Sequence, residues 1–314
     1  DMADVKGQPV ARRAAEVAAA GSHNLFLVGG PGGGKTMIAE RLAGLLPPMS
    51  GDDAVAATMI RSAAGEPCGG LVRHPPFRAP HHGASMVAMV GGGSGVLRPG
   101  EVSLAHGGVL FLDEVGEFAP SVLDALRQPL ESGTIRVARS GVGAEMPARF
   151  LLVGATNPCP CGGGAPGSCV CTDTARSRYL RRLSGPLLDR FDLRVAVAAT
   201  SPLDLLDPQP AESSTTIRER VTAARRIADR RQGRPNSQLS AAELDEHAPL
   251  SMKARAILRG ELEAGRLTGR GLHRVRRVGR TVADLAGQHD GEVRDDHVHE
   301  ALALRSRSHS GGAR

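Results

Sequence analysis

The stretch Gly29-Gly30-Pro31-Gly32-Gly33-Gly34-Lys35-Thr36 decides the fold class of this chain of 314 residues. It fits the pattern G-x-x-x-x-G-K-[ST], and it lies between an apolar run, Asn24–Val28, and a predicted helix, Lys35–Leu46. Glycines let backbone N–H groups converge on phosphate oxygens, and the start of the following helix adds positive charge. A flexible glycine-rich turn is the alternative, but the strand before the motif and the helix after it favour a phosphate-binding loop. The order strand, loop, helix predicts an α/β core.

The phosphate-binding motif predicts roles for its two polar residues, Lys35 and Thr36. We expect Lys35 to contact the β- and γ-phosphates of ATP, and the Thr36 hydroxyl to be a ligand of Mg²⁺. The continuous apolar run Val109–Leu112 is typical of a strand buried on both faces, and Asp113 and Glu114 follow it directly. Asp113 is then the second Mg²⁺ ligand, and Glu114 the general base that activates water. An acidic pair that ends a strand by accident is the alternative.

Two further polar residues follow predicted secondary structure. Asn157 comes after the predicted strand Phe150–Val153, where it can face the γ-phosphate or simply form a turn before Pro158. Arg190 ends a short predicted helix, Ser184–Arg190. It can act as an arginine finger on a neighbouring copy, or pair on the surface with an adjacent aspartate. Spacing alone does not decide between these alternatives.

The rest of the chain divides at a proline-rich segment. Residues 1–200 read as the α/β domain, with a first helix over Val10–Ala20, a helix from Pro120 to just before Gly133, and strands over Thr134–Val137 and Leu193–Val197. Residues 201–213 carry three prolines and predict a linker. Residues 214–314 read as a helical domain. There Ser240 and Glu243 form a capping-box pattern, and apolar residues recur at helical spacing over Leu272–Leu285.

Composition excludes some classes of function. No apolar run approaches the length of a membrane-spanning helix, and no signal peptide is recognised, so we expect a cytoplasmic protein. The net charge is +6, and residues 218–280 hold fifteen arginines and one lysine against seven acidic residues. That stretch indicates either attraction to DNA phosphates or an ordinary solvated surface. Seven aromatic residues are too few for a base-stacking platform, which leaves charge and backbone contacts for binding DNA.

Four of the five cysteines are clustered. Cys159, Cys161, Cys169 and Cys171 form two C-x-C pairs around a glycine-rich spacer. Four thiolates in one loop predict a structural Zn²⁺ site, with four reduced thiols in a mobile loop as the alternative. Cys68 receives no role. His81 and His82 are adjacent, so both cannot easily bind one ion, and we interpret them as structural or DNA-facing.

Beyond these local patterns, the chain from Asp4 to about Arg305 resembles the AAA+ module of the magnesium-chelatase-like ATPases, most closely the ComM/YifB-type subfamily. Several blocks in one order carry the resemblance: Pro76–His82, Arg98–His106, Leu126–Glu131, Asn157–Gly162 and Arg182–Arg190. Relatives of this type carry a Lon-protease-like domain before the module and a somewhat longer cysteine loop. We therefore expect the chain to be a fragment of such a protein or a truncated form of it.

The resemblance implies roles that spacing alone does not. It makes Asn157 the sensor 1 residue and Arg190 a finger that acts on a neighbouring subunit. Arg270 becomes the sensor 2 residue, with Arg274 one turn further along as the alternative. The segment Val5–Gln8, including Gly7, would wrap the adenine.

The resemblance also implies how the chain would act on a substrate. A helix-2 insert at about residues 89–100 and a hairpin at about 134–146 would line the pore of a hexameric ring and contact DNA. The implied function is an ATP-dependent DNA motor, a helicase or branch-migration factor with DNA-stimulated ATPase activity. A chelatase motor that inserts metal into a porphyrin and a chaperone-like protein remodeller are the alternatives.

Overall fold

The structure is a computed structural model, and it describes residues 1–93, 97–139, 142–163, 169–183, 187–206, 211–289 and 291–305. Its strands are β1 (Leu25–Val28), β2 (Phe77–Arg78), β3 (Gly91–Gly92), β4 (Arg98–Pro99), β5 (Val109–Leu112), β6 (Thr134–Arg139), β7 (Val142–Pro147), β8 (Leu151–Thr156) and β9 (Leu193–Ala196). Nine α-helices lie in the first 206 residues, within the described ranges: α1 (Pro9–Gly21), α2 (Lys35–Ala43), α3 (Gly51–Ala64), α4 (Met86–Val90), α5 (Glu101–Leu104), α6 (Pro120–Ala125), α7 (Arg127–Ser132), α8 (Asp173–Leu183) and α9 (Pro202–Leu206).

The remaining helices form the lid that follows the core: α10 (Ser214–Gln232), α11 (Ala241–His247), α12 (Met252–Glu263), α13 (Gly269–Leu285) and α14 (Asp295–Ala303). Short 3₁₀ turns lie at Met2–Asp4, Val115–Glu117, Leu188–Arg190 and Asn236–Gln238. None of the described helices is both long and apolar enough to cross a membrane.

One five-stranded parallel sheet organises the core, in the order β2-β5-β8-β1-β9. Its three central strands are almost entirely buried, as expected for a parallel sheet covered on both faces. Because all strands point the same way, the residues that follow β1, β5 and β8 meet at one edge, the carboxyl edge. The residues that precede the strands meet at the opposite amino edge. The predicted fold class, an AAA+ α/β core with a helical lid, is confirmed.

The lid packs on the core through α1 and α13. Helix α1 presents fully buried alanines such as Ala14, Ala15 and Ala18, whose small side chains let neighbouring helices approach closely. Val275, Val278 and Val282 form the buried apolar face of α13, and they belong to the same hydrophobic cluster as α1 and β1. Where α1 leads into β1, the buried His23 ring also contacts the Thr281 hydroxyl at 2.7 Å. Core and lid therefore share one continuous interior.

Several predicted element boundaries are wrong. Helix α2 ends at Ala43 instead of Leu46, and the strand predicted over 150–153 extends to Thr156. The single helix predicted between Pro120 and Gly133 is two helices, α6 and α7. The break follows from Pro129, which has no N–H to donate and whose ring would clash with the Ala125 carbonyl in a continuous helix.

The predicted linker and connecting segments are described only in part. Helix α9 forms inside the predicted linker 201–213, and a 3₁₀ turn at Leu188–Arg190 replaces the end of the predicted helix 184–190. Residues 94–96 of the predicted insert, 140–141 of the hairpin, 164–168 of the cysteine loop, 184–186, 207–210 of the linker, and 290 and 306–314 of the helical domain lie outside the described residues.

Candidate ATPase site

The P-loop connects β1 to α2 at the carboxyl edge. Gly32 and Gly34 have φ angles of +76° and +85°, which glycine adopts without strain. A Cβ atom on Gly29 would lie 2.2 Å from the Val197 carbonyl oxygen. Of the loop residues, Gly29 and Gly33 lie close to the backbone that directly follows strand β9.

Lys35 lies at the centre of the site. Its Nζ donates to the carbonyl oxygens of Gly29 and Gly30, at 2.7 Å and 2.8 Å, and to Asn157 Oδ1 at 3.2 Å. Burial lowers the pKa of Lys35, while the charges of Asp113 and Glu114 act in the opposite direction. The ammonium group is thus positioned between the P-loop and the end of β8, in contact with Asn157, for which the resemblance implies the sensor 1 role.

Thr36 and Asp113 form a pair with the geometry of a Mg²⁺ site. The Thr36 hydroxyl donates to Asp113 Oδ2 at 3.0 Å. Two adjacent oxygen ligands in the octahedral shell of Mg²⁺ lie about 3.0 Å apart, and hydroxyl and carboxylate oxygens are ligands that this ion accepts. The residues present therefore fit the ion that the sequence predicts.

Glu114 adopts a left-handed backbone conformation, with φ +51° and ψ +50°. Non-glycine residues rarely adopt this region, and such strain concentrates at functional sites. The Glu114 N–H donates to Asp113 Oδ1 at 2.9 Å, and His82 Nδ1 lies 3.6 Å from Glu114 Oε2. The general-base candidate therefore has a histidine beside it.

The contact between His82 and Glu114 is not predicted from the sequence, from which His82 is interpreted as structural or DNA-facing. The signal lies in strand pairing. Strands β2 and β5 are parallel with Arg78 opposite Leu110, so the residues four positions further on, His82 and Glu114, emerge side by side. The two-residue strand β2 is too short to be recognised from hydrophobic pattern alone.

Hydrogen bonds from Gln8 hold the N-terminal segment beside the P-loop. The Gln8 side chain is buried and donates to the Ala198 carbonyl at 2.6 Å and to the Gly33 carbonyl at 3.3 Å. Val5 is also buried, and Gly7 has a φ of +63°. These contacts anchor the segment beside the P-loop, and the contact with adenine that the resemblance implies stays a prediction.

Arg190 lies at the amino edge of the sheet. Its carbonyl accepts a hydrogen bond from Asn24, the residue just before β1, and its guanidinium pairs with Glu131 at the end of α7. The P-loop begins after the four residues of β1. At about 3.3 Å per residue, these two positions are separated by roughly 13 Å of sheet.

The two sensor 2 candidates differ in their surroundings. Arg274 is mostly buried, and its Nε lies 3.5 Å from Asp192 Oδ1, again at the amino edge. Arg270 is exposed one turn earlier, and its side chain has no hydrogen-bond or ion-pair partner in the described part of the chain. Within the described residues, the hydrogen bonds of Lys35 go to Gly29, Gly30 and Asn157, and to neither arginine.

The basic stretch of the lid is largely engaged within the chain. Arg220 pairs with Glu16 and Glu212, and Arg231 and Arg280 both pair with the buried Asp284. These arginines stabilise the lid and its contact with the core. Other basic side chains of the stretch are exposed, among them Arg218, Arg226 and Arg255, so part of the positive charge lies on the lid surface.

The four clustered cysteines come together beside the ATPase site. The Sγ atoms of Cys159, Cys161, Cys169 and Cys171 all lie within 4.8 Å of one another. Three of the separations are 3.4, 3.5 and 3.7 Å. Sulfur ligands around a tetrahedral Zn²⁺ at about 2.3 Å lie about 3.8 Å apart, so the cluster fits this ion.

Comparisons with known proteins agree with this architecture. Residues 1–205 match the family model described as magnesium chelatase, subunit ChlI, and residues 211–305 match its C-terminal model. An uncharacterized protein of Mycobacterium tuberculosis is 48% identical over 97% of the chain and 61% of its own length. Competence protein ComM of Haemophilus influenzae is 44% identical over 98% of the chain and 60% of its own length.

A more distant relative is a probable DNA helicase, MCM9, of Arabidopsis thaliana, 28% identical over 57% of the chain and 23% of its own length. The chain spans about three fifths of the length of the more similar curated relatives.

Proposed function

The chain belongs to the magnesium chelatase family, in its ComM/YifB-type branch, and we propose that it is the ATP-hydrolysing module of a ring-shaped motor acting on DNA in the cytoplasm. The observation that carries the proposal is the division of the catalytic groups between two edges of one sheet. Lys35, Thr36 and Asp113 occupy the carboxyl edge, whereas Arg190 occupies the amino edge.

The carboxyl edge supplies the groups for ATP binding and hydrolysis. The P-loop backbone and Lys35 hold the phosphates, and Thr36 and Asp113 hold Mg²⁺, which neutralises phosphate charge when bound. Glu114 accepts a proton from the attacking water, and Asn157, already bonded to Lys35, orients that water against the γ-phosphate. Three short segments of one chain thus assemble most of the site.

The amino edge supplies the remaining positive charge to a neighbour. Arg190 cannot reach its own P-loop across the sheet, so as a finger it acts on ATP bound to an adjacent subunit. The exposed Arg270 lies at the start of α13, one turn from the Arg274–Asp192 contact at this same edge, and we assign it the sensor 2 role in the same neighbouring site. This arrangement requires head-to-tail contacts, which close into a ring, and the family resemblance favours a hexamer.

The DNA contacts are assigned to two segments that lie together. Strand β3 of the predicted insert contacts strand β6 of the predicted hairpin. Arg136 is exposed on that hairpin and pairs with Glu145 at 2.8 Å. Two adjacent segments with an exposed arginine suit the lining of a pore, where contacts to DNA phosphates would couple ATP turnover to movement. The names of the relatives, a competence protein and a probable helicase, support DNA as the substrate.

The experiment that tests this proposal is steady-state ATPase activity with no DNA, single-stranded DNA and branched DNA, at two salt concentrations. We expect DNA to stimulate turnover and the stimulation to fade with salt, because the contacts are mainly to phosphates. Arg136→Ala should lose stimulation more than basal turnover, whereas Arg230→Ala, an exposed lid variant, should lose neither. Vigorous hydrolysis indifferent to every DNA would contradict a DNA motor and favour a chelatase or protein-remodelling role.

We also propose that the four-cysteine cluster binds one structural Zn²⁺. The cluster offers four sulfur ligands and therefore no open position for catalysis. The spacing of its sulfur atoms supports this assignment. Metal analysis of the purified chain tests it: about one zinc per chain is expected for a closed Cys₄ site.

A further inference from the structure

The four-cysteine cluster packs directly against the P-loop. Gly162, directly after Cys161, has a φ of +79°, and a Cβ atom there would lie 2.8 Å from Pro31 Cδ. A Cβ atom on Gly30 would in turn lie 3.3 Å from the Gly162 carbonyl oxygen. The backbone at Gly162 thus leaves no room for a side chain on the face that touches Pro31.

The first two cysteines set the position of this contact. The Gly162 N–H donates to the Cys159 carbonyl at 3.0 Å, which closes a tight turn around Cys161. Cys159 is buried and lies two residues after Asn157, whose side chain contacts Lys35. A metal bound to Cys159 and Cys161 would therefore fix the first and third residues of the turn whose last residue, Gly162, supports Pro31.

The second two cysteines connect the cluster to the other side of the site. Cys171 lies two residues before α8, and Arg176 of that helix donates to Cys169 Sγ at 3.2 Å. Further along α8, the buried Tyr179 hydroxyl contacts Thr156 Oγ1 at 2.7 Å, next to Asn157. The cluster therefore links the P-loop to the helix that supports the end of β8.

From these contacts we propose that metal binding at the four-cysteine cluster holds the P-loop and Asn157 in their ATP-binding arrangement, so that ATP affinity depends on zinc. The inference rests on the proposed zinc site and on ATP binding by the P-loop, and it does not depend on action on DNA. The metal would act through the positions of Pro31 and Asn157, without contacting the nucleotide.

The first test compares two cysteine variants. Cys161→Ser removes a ligand, and Cys68→Ser removes an exposed thiol outside the cluster. Zinc is measured by mass spectrometry, and the affinity for a fluorescent ATP analogue is measured with Mg²⁺ present. We expect Cys161→Ser to lose zinc and to bind the analogue about fivefold or more weakly, the usual lower range of coupling between two sites. Cys68→Ser should match the unaltered chain in both measurements.

A second test leaves every thiol in place, in case the cysteine variant does not fold. Gly162→Ala puts a Cβ atom against Pro31, whereas Gly65→Ala changes a glycine with the same φ of +79° and no atom within 4 Å of its Cβ position. We expect Gly162→Ala to retain zinc but to weaken nucleotide binding. Gly65→Ala should carry the same backbone strain with unchanged nucleotide affinity.

Chelation and restoration complete the test. Removing zinc from the unaltered chain with a zinc-selective chelator should weaken binding of the ATP analogue, and adding zinc back should restore it. If the purified chain contains zinc and removing that zinc leaves the nucleotide affinity unchanged, the inference is overturned but the zinc site is retained. Absence of zinc from the purified chain would overturn both. Neither result bears on the DNA motor, whose test is DNA stimulation.

Discussion

The two edges of the central sheet differ in how their functional residues are held. At the carboxyl edge, the functional residues pair with each other: Lys35 donates to Asn157, and Thr36 donates to Asp113. At the amino edge, Arg190 and Arg274 pair instead with acidic residues, Glu131 and Asp192. One edge is nearly a complete nucleotide site, and the other is a set of positive charges at a distance from it. On the proposed function, each chain therefore contributes the nucleotide-binding part of one ATP site and an arginine to the site of a neighbour.

The largest expected effect removes the positive charge of the amino edge. Arg190→Ala should lower kcat by about a thousandfold, the lower range for an arginine finger, because the γ-phosphate of the neighbouring site loses its stabilising charge. Binding of the ATP analogue should change little, since Arg190 lies away from the P-loop of its own chain. Unchanged hydrolysis by this variant, at concentrations where rings form, would show that the amino edge supplies no group needed for hydrolysis.

A comparable change on the carboxyl edge removes the general base. Glu114→Gln should lower kcat by about a hundredfold or more and leave ATP binding intact, because the amide cannot accept a proton from water. Steady-state hydrolysis and analogue binding measure the two effects. Glu117→Gln, on the 3₁₀ turn that follows, is the matched control and should retain turnover; equal losses in both variants would contradict the assignment of Glu114.

Substituting the two sensor 2 candidates one at a time tests which of these arginines takes part in ATP hydrolysis. Arg270→Ala should lower kcat by up to about a hundredfold, the effect of removing one transition-state contact, without lowering thermal stability. Arg274→Ala should instead lower thermal stability, because it leaves the mostly buried Asp192 without this partner. If Arg274→Ala lowers kcat and Arg270→Ala does not, the sensor 2 role belongs to Arg274, the alternative that the resemblance leaves open.

The smallest expected effect concerns His82. His82→Ala should raise basal kcat a few fold and leave KM for ATP unchanged, because the Glu114 carboxylate loses a neighbour that competes with water for it. His74→Ala changes an exposed histidine of the same segment and should alter neither value. A rise in KM without a change in kcat would show that His82 only supports the structure.

Sequence could predict the carboxyl edge because its motifs are local. The P-loop glycines, Lys35 and Thr36 are contiguous, and Asp113 directly ends a recognisable apolar run. Sequence could not predict that His82 lies beside Glu114, because that contact depends on the register of the two-residue strand β2. The helix break before Pro129 was predictable in principle from its missing N–H, but the prediction relied on Pro120 and Gly133 as the helix ends.

The amino edge was less predictable for a physical reason. Arg190 and Arg274 lie 84 positions apart, and only tertiary packing, with α13 against α1, brings both to the amino edge. The resemblance to a known family named these residues, whereas the chain itself carries no local pattern that separates a finger from a surface ion pair.

The most direct test of the central claim is complementation between the two edges. Glu114→Gln and Arg190→Ala are mixed in varying ratios, and ATPase activity is compared with each variant alone. In a mixed assembly, the intact Glu114 edge of one subunit faces the intact Arg190 of its neighbour. We expect ATPase activity to appear only on mixing and to be greatest near equal amounts of the two variants. Mixtures as inactive as their components, under conditions where the subunits assemble and exchange, would contradict a site shared between neighbouring chains.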